Sequence, residues 1–132
     1  MNRVYCHPRA YDLAFSYRDY PREVTKLIDW YKEATQTNQP PRTMLELACG
    51  PARYPIEFSR NGIGATGLDL SEDMCAYATL LAKDVSCVLH ASPSAAGDLD
   101  QVLPLERVEE LQPVVDSAYV LVDLQPHRLR RE

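Results

Sequence analysis

Apolar positions change their spacing several times along this chain, and each change marks an element. Between residues 21 and 34, Val24, Leu27, Ile28 and Tyr31 recur at three- and four-residue steps, the stripe of an amphipathic helix. Pro21 suits the first helical turn, where its missing N–H is no loss, and Asp19 and Glu23 favour the positive end of the helix. Residues 35–42, with Asn38 and the Pro40-Pro41 pair, read as a loop. The apolar run at 43–48 reads as a buried parallel strand that stops at a tight turn, Cys49-Gly50-Pro51. A short helix over 52–61 is ended by Asn61-Gly62, and 64–70 forms a second strand. Ser71 then serves as N-cap for a helix with Glu72 and Asp73 in its first turn and Met74, Tyr77, Ala78 and Leu81 on one face, fading near Asp84. Residues 85–90 make a third short strand.

Strand, helix, strand, helix, strand is how an open α/β sheet begins, so the fold class is α/β: a Rossmann-like, mostly parallel sheet with flanking helices. Beyond His90 the pattern weakens. Residues 91–97 are small and polar, 106–112 offer one or two helical turns, 118–124 read as a further strand, and 126–132 are charged. The sheet therefore reads as incomplete, with about four strands. The first 20 residues carry Tyr5, Tyr11, Phe15, Tyr17 and Tyr20, a segment suited to packing over something else. The chain reads as a single domain in three portions: a helical and aromatic segment over 1–42, a βαβαβ core over 43–90, and a divergent part over 91–132.

Composition narrows the class of function only a little. With 132 residues, 45% of them hydrophobic and 25% charged, the chain has the make-up of one ordinary globular domain. A formal charge of -5 disfavours a basic nucleic-acid surface. Charge or proline interrupts every apolar stretch before it reaches the roughly 18 residues of a membrane span. Met1-Asn2-Arg3 opens the chain without the apolar stretch of a signal peptide. Cys6, Cys49, Cys75 and Cys87 are widely spread, with no C-x-x-C pair, and read as free thiols in a reducing, cytoplasmic setting with no metal site.

Candidate chemistry gathers after the first strand. In an open parallel sheet, ligands sit beyond the carboxyl ends of the strands. A turn of small residues there lets the backbone come close to a ligand, and Gly50 is the position most in need of unusual dihedrals. Asp69, at the end of the second strand, would accept hydrogen bonds from both hydroxyls of a ribose. The dinucleotide fingerprint G-x-G-x-x-G would fall on Ala48, Gly50 and Arg53 and fails at two of the three, which disfavours a nicotinamide-dependent oxidoreductase. Glu46 fits poorly beside a pyrophosphate and well beside a cationic amino group.

These residues carry a family resemblance. Leu45-Glu46-Leu47-Ala48-Cys49-Gly50-Pro51-Ala52-Arg53 resembles motif I of the class I S-adenosylmethionine-dependent methyltransferases, a strand followed by acidic-x-Gly-x-Gly-x-Gly. Gly67-Leu68-Asp69-Leu70-Ser71-Glu72-Asp73-Met74 is similar to the G-x-D-x-S-x-x-M that follows it. Ala10-Tyr11-Asp12-Leu13-Ala14 resembles the Tyr-Asp lead-in of many small-molecule members. The resemblance implies that S-adenosylmethionine is the cofactor. It places Glu46 near the methionine ammonium and the backbones of Ala48, Cys49 and Gly50 along the methionine end. It puts Asp69 on the ribose, Leu70 and Met74 near the adenine, and Tyr11 and Tyr17 over the cofactor. Ala48 and Ala52 stand where the family usually has glycine, a replacement easily accommodated where φ is negative. The later motifs of the family are not matched after residue 90.

The resemblance thus implies a methyltransferase acting on a small-molecule acceptor, in a shortened or degenerate form, with a dimer mate or partner chain covering an open sheet edge. The alternative is a non-catalytic interaction module that uses that edge to pair with another chain.

Overall fold

The computed structural model describes residues 3–91 and 119–122. Three strands, β1 (Thr43–Leu47), β2 (Gly64–Asp69) and β3 (Cys87–Ala91), form a parallel sheet with β2 in the middle. β1 and β2 pair from Thr43↔Gly64 to Leu47↔Leu68, and β2 and β3 from Ala65↔Cys87 to Asp69↔Ala91. Helix α3 (Arg53–Arg60) connects β1 to β2, and α4 (Glu72–Leu81) connects β2 to β3. The class is α/β, compatible with part of a Rossmann-like sheet. Within the span 118–124, the backbone of β4 (Tyr119–Val122) runs antiparallel beside β1, from Met44↔Val122 to Leu47↔Tyr119. The expectations for 92–97, 106–112 and 126–132 lie outside the described residues.

Strand alternation sorts the side chains into rows. Met44, Ala65 and Cys87 share one row across the sheet. Met44 and Ala65 are buried against Val24 and Ile28 of α2 (Tyr20–Thr35), Phe58 of α3 and Ile63, with Cys87 packed against the cluster. The next row on that face is Glu46, Gly67 and Leu89. Cys49, Ala52 and Ala78 form a second buried cluster with Leu89 against it. On the opposite face Leu45 and Leu68 are buried, while Val88 and His90 at the β3 edge are exposed.

Local chemistry sets the helix starts. Asp19 caps α2 by accepting a hydrogen bond from the Arg22 N–H at 3.2 Å, so this acid does more than complement the helix dipole. Ser71 caps α4 in the same way, accepting from the Met74 N–H at 3.2 Å, and its hydroxyl donates to the Tyr5 carbonyl at 3.2 Å. That second bond ties a 3-10 turn (Arg3–Cys6) to the start of α4. Helix α1 (Pro8–Ala14) was not predicted from the apolar pattern. At seven residues it is too short to persist alone, and its contacts with the rest of the molecule hold it.

Candidate functional site

Because β1 and β2 are parallel, both end at the same rim of the sheet, and the loop after β1 meets the end of β2 there. The loop is built on left-handed residues: φ is +54° at Ala48, +53° at Gly50 and +57° at Ala52. The condition of negative φ, under which alanine would be easily accommodated, is therefore not met at Ala48 or Ala52. All three positions where the family pattern has glycine adopt the conformation that favours glycine, and each alanine there carries about 1–2 kcal/mol of local strain. Hydrogen bonds hold the path. The Cys49 N–H donates to the Leu68 carbonyl at 2.9 Å, and the Ala52 N–H donates back to the Cys49 carbonyl at 2.9 Å. The Gly50 N–H donates to Asp69 Oδ2 at 2.7 Å, and the Ser71 N–H donates to Asp69 Oδ1 at 2.8 Å. Asp69 is thus fixed by one backbone bond to each oxygen, and a carboxylate has further lone pairs to offer a ligand.

Glu46 lies two residues before this loop. It is only 4% exposed, and its Oε2 has no hydrogen-bond partner among the described residues. Burial pushes its pKa up to about 8; the nearby Arg18 guanidinium opposes the shift and the Asp69 carboxylate adds to it. An unpaired buried carboxyl is costly, and such a group calls for a donor or a cation.

Tyr11 of α1 covers the loop. A Cβ placed on Gly50 would stand 3.7 Å from Tyr11 Cε1, an ordinary contact. Burial raises the Tyr11 pKa, and Tyr5, Asp69 and Glu46 raise it further, so its phenol shares the electrostatic surroundings of both acids. The ring packs against Phe15 at a 43° tilt with centroids 4.8 Å apart and lies 6.2 Å from the ring of Tyr5. The neighbouring Asp12 anchors the helix. It is buried, accepts from Arg53 Nε at 2.8 Å and from the Tyr77 hydroxyl at 2.9 Å, and also pairs with Arg53 Nη2. The hydrogen bond from Arg53 is the main reason its pKa lies below the usual carboxylate range. The Tyr-Asp pair therefore divides its work: Tyr11 faces the loop, and Asp12 clips α1 to the first residue of α3 and to α4.

The structure brings Glu46, Gly50, Asp69 and Tyr11 together at one rim. Ala48 is exposed at the loop surface. Leu70 follows Asp69 and is exposed, so it is accessible at that rim. Met74 is wholly buried and presents no surface to a ligand. The Cys49 side chain turns into the core, where burial raises its thiol pKa far above the ordinary value. Tyr17 is 80% exposed, with its ring 6.4 Å from Phe15. Sequence reasoning missed Arg53 as a partner of Asp12 and gave Arg18 no role. Forty-one residues separate Asp12 from Arg53, and no local pattern links them. Among the described residues, no group of three His, Cys, Asp or Glu side chains is placed to hold a metal ion, and no helix is long and apolar enough to cross a membrane. No protein-family model and no curated protein matches the chain.

Proposed function

We propose that this chain binds S-adenosylmethionine at the rim formed by β1, β2 and the loop between β1 and α3, and acts as a methyltransferase on a small-molecule acceptor. The observation that carries the reading is the buried Oε2 of Glu46, which has no partner among the described residues, beside a left-handed loop of small residues. A cationic α-ammonium would supply what Glu46 lacks, a charge and a donor in one group. Asp69, held by the Gly50 and Ser71 amides, keeps lone pairs for two ribose hydroxyls. The absence of bulk at Ala48 and Gly50 leaves the backbone open to close approach. In this proposal the three parallel strands and β4 are part of a Rossmann-like sheet, with the ligand at the carboxyl ends of the strands.

When bound, the cofactor supplies an electrophilic methyl group on a sulfonium, so the protein's part is to position rather than to attack. Glu46 neutralises and orients the amino-acid end, Asp69 fixes the sugar, and Tyr11 shields the loop from water. No side-chain nucleophile is required, and Cys49, buried and protonated, does not act as one.

Titration calorimetry with S-adenosylhomocysteine tests the reading. The expected result is saturable binding with Kd on the order of 10 μM, weakened at least about tenfold in Asp69→Ala, with no binding of NADH. A folded protein that binds NADH and ignores S-adenosylhomocysteine would replace this proposal with a dinucleotide-dependent one. A folded protein that binds neither would favour the interaction module.

A further inference from the structure

We infer that the cavity between α1, the turn that follows it and the starts of α2 and α3 is a binding site for a small molecule that carries an oxyanion, a phosphate or a carboxylate. The cavity holds about 430 Å³, within the size range of small-molecule sites. Arg9, Arg18 and Arg53 are among the residues that line it, against Asp12 in the lining and Glu23, which pairs with Arg18. In a chain whose formal charge is -5, three arginines against two carboxylates leave a local surplus of one positive charge, carried by Arg9.

The guanidiniums are set in place with donors left over. Arg53 directs Nε and Nη2 to Asp12, and Arg18 directs Nε and Nη2 to Glu23. Arg18 Nη2 also donates to the Tyr54 hydroxyl, which in turn donates to Glu23. The Arg18 guanidinium lies 5.6 Å from the centroid of the Tyr20 ring and 5.3 Å from that of Tyr54, which fixes its plane further. Each guanidinium carries five N–H donors, so both arginines keep their Nη1 donors unspent among the described residues. Their side chains remain 37% and 35% exposed, which leaves those donors reachable. Arg9 has no ion pair among the described residues. A planar fork held by a carboxylate on one side and free on the other loses little entropy when an anion arrives.

The other walls suit the rest of such a molecule. Tyr20, Tyr77, Ser16 and Leu13, the last 72% exposed, complete the lining with aromatic, hydroxyl-bearing and apolar residues. None of these residues is among those proposed to hold S-adenosylmethionine, and Arg9, with no ion pair among the described residues and no part in the Glu46 pKa shift, tests the site separately from that proposal.

Calorimetric titration with inorganic phosphate and, separately, with acetate at constant ionic strength tests the inference and distinguishes the two anions. The expected result is saturable binding of at least one of them with Kd near 1 mM or tighter, weakened at least about tenfold in Arg9→Ala and in Arg18→Gln but not in Glu46→Gln. Arg9→Ala leaves no buried carboxylate unpaired, and an unchanged circular dichroism spectrum checks its fold. Absence of saturable binding of both anions, or equal binding by the wild type and both arginine variants, would overturn the site.

Discussion

Ala48 holds φ at +54° while its side chain is exposed, so its methyl group is strained without contributing to the core. Ala48→Gly should therefore stabilise the fold by about 1 kcal/mol, the strain relieved exceeding the entropy added to the unfolded chain. Gly50→Ala should do the reverse by about 1–2 kcal/mol, from backbone strain alone, because the space beside Gly50 is open to 3.7 Å. Urea denaturation of both variants reads the two signs. Glu46 adds a pH dependence. Its folded pKa of about 8 lies above the ordinary 4.5, so between those values the folded protein holds a proton that the unfolded chain releases. Its contribution to stability must then fall as pH rises from about 4.5 to about 8, by a total of a few kcal/mol, and stay flat above. Glu46→Gln should remove that slope and be the more stable protein at pH 9. Equal slopes in the two proteins would mean that Glu46 is not buried as described.

Gly67 is where two elements demand a missing side chain. A Cβ there would meet Cys49 Sγ at 2.8 Å and Leu89 Cδ2 at 3.0 Å, so any larger residue forces the Cys49 and Leu89 side chains to shift where β2 passes beneath the loop. Gly67→Ala should cost about 1–3 kcal/mol in thermal or urea unfolding, with partial recovery when combined with Cys49→Ala. Helix α1 depends on Asp12. Asp12→Ala should cost about 2 kcal/mol, reduced from the value for a fully buried pair because Arg53 is a third exposed. It should also accelerate amide exchange across α1 ahead of the rest of the molecule. The two elements differ in how far the sequence foretold them. Helix α2 and strands β1, β2 and β3 could be read because their apolar stripes and runs come from contacts that repeat along each segment. The Ser71 cap and the Asn61-Gly62 stop could be read because their chemistry is local. Helix α1 could not, since a polar residue, Asp12, holds it through partners far along the chain. The left-handed alanines were also hidden: nothing in alanine's chemistry announces a positive φ, and only the glycine pattern of the resembling family marked the positions.

The molecule as a whole sets two opposite charges on one small scaffold. Parallel pairing of β1 and β2 brings Glu46, the Gly50 loop and Asp69 to one rim, while the clip from Asp12 to Arg53 leaves the arginine-lined cavity beside α1. The first suits a cationic ligand group and the second an anionic one. If Glu46 receives the ammonium of S-adenosylmethionine as proposed, it must shed a proton on binding, and proton release reads that step. Calorimetry of S-adenosylhomocysteine binding at pH 7, in two buffers of different ionisation enthalpy, counts protons exchanged on binding. With a free-state pKa of about 8, Glu46 is mostly protonated at pH 7 and must ionise to pair with the ammonium. The expected result is release of close to one proton by the wild type, and none by Glu46→Gln or when adenosine replaces S-adenosylhomocysteine. Binding of S-adenosylhomocysteine with no proton released, and with equal affinity in Glu46→Gln, would contradict it.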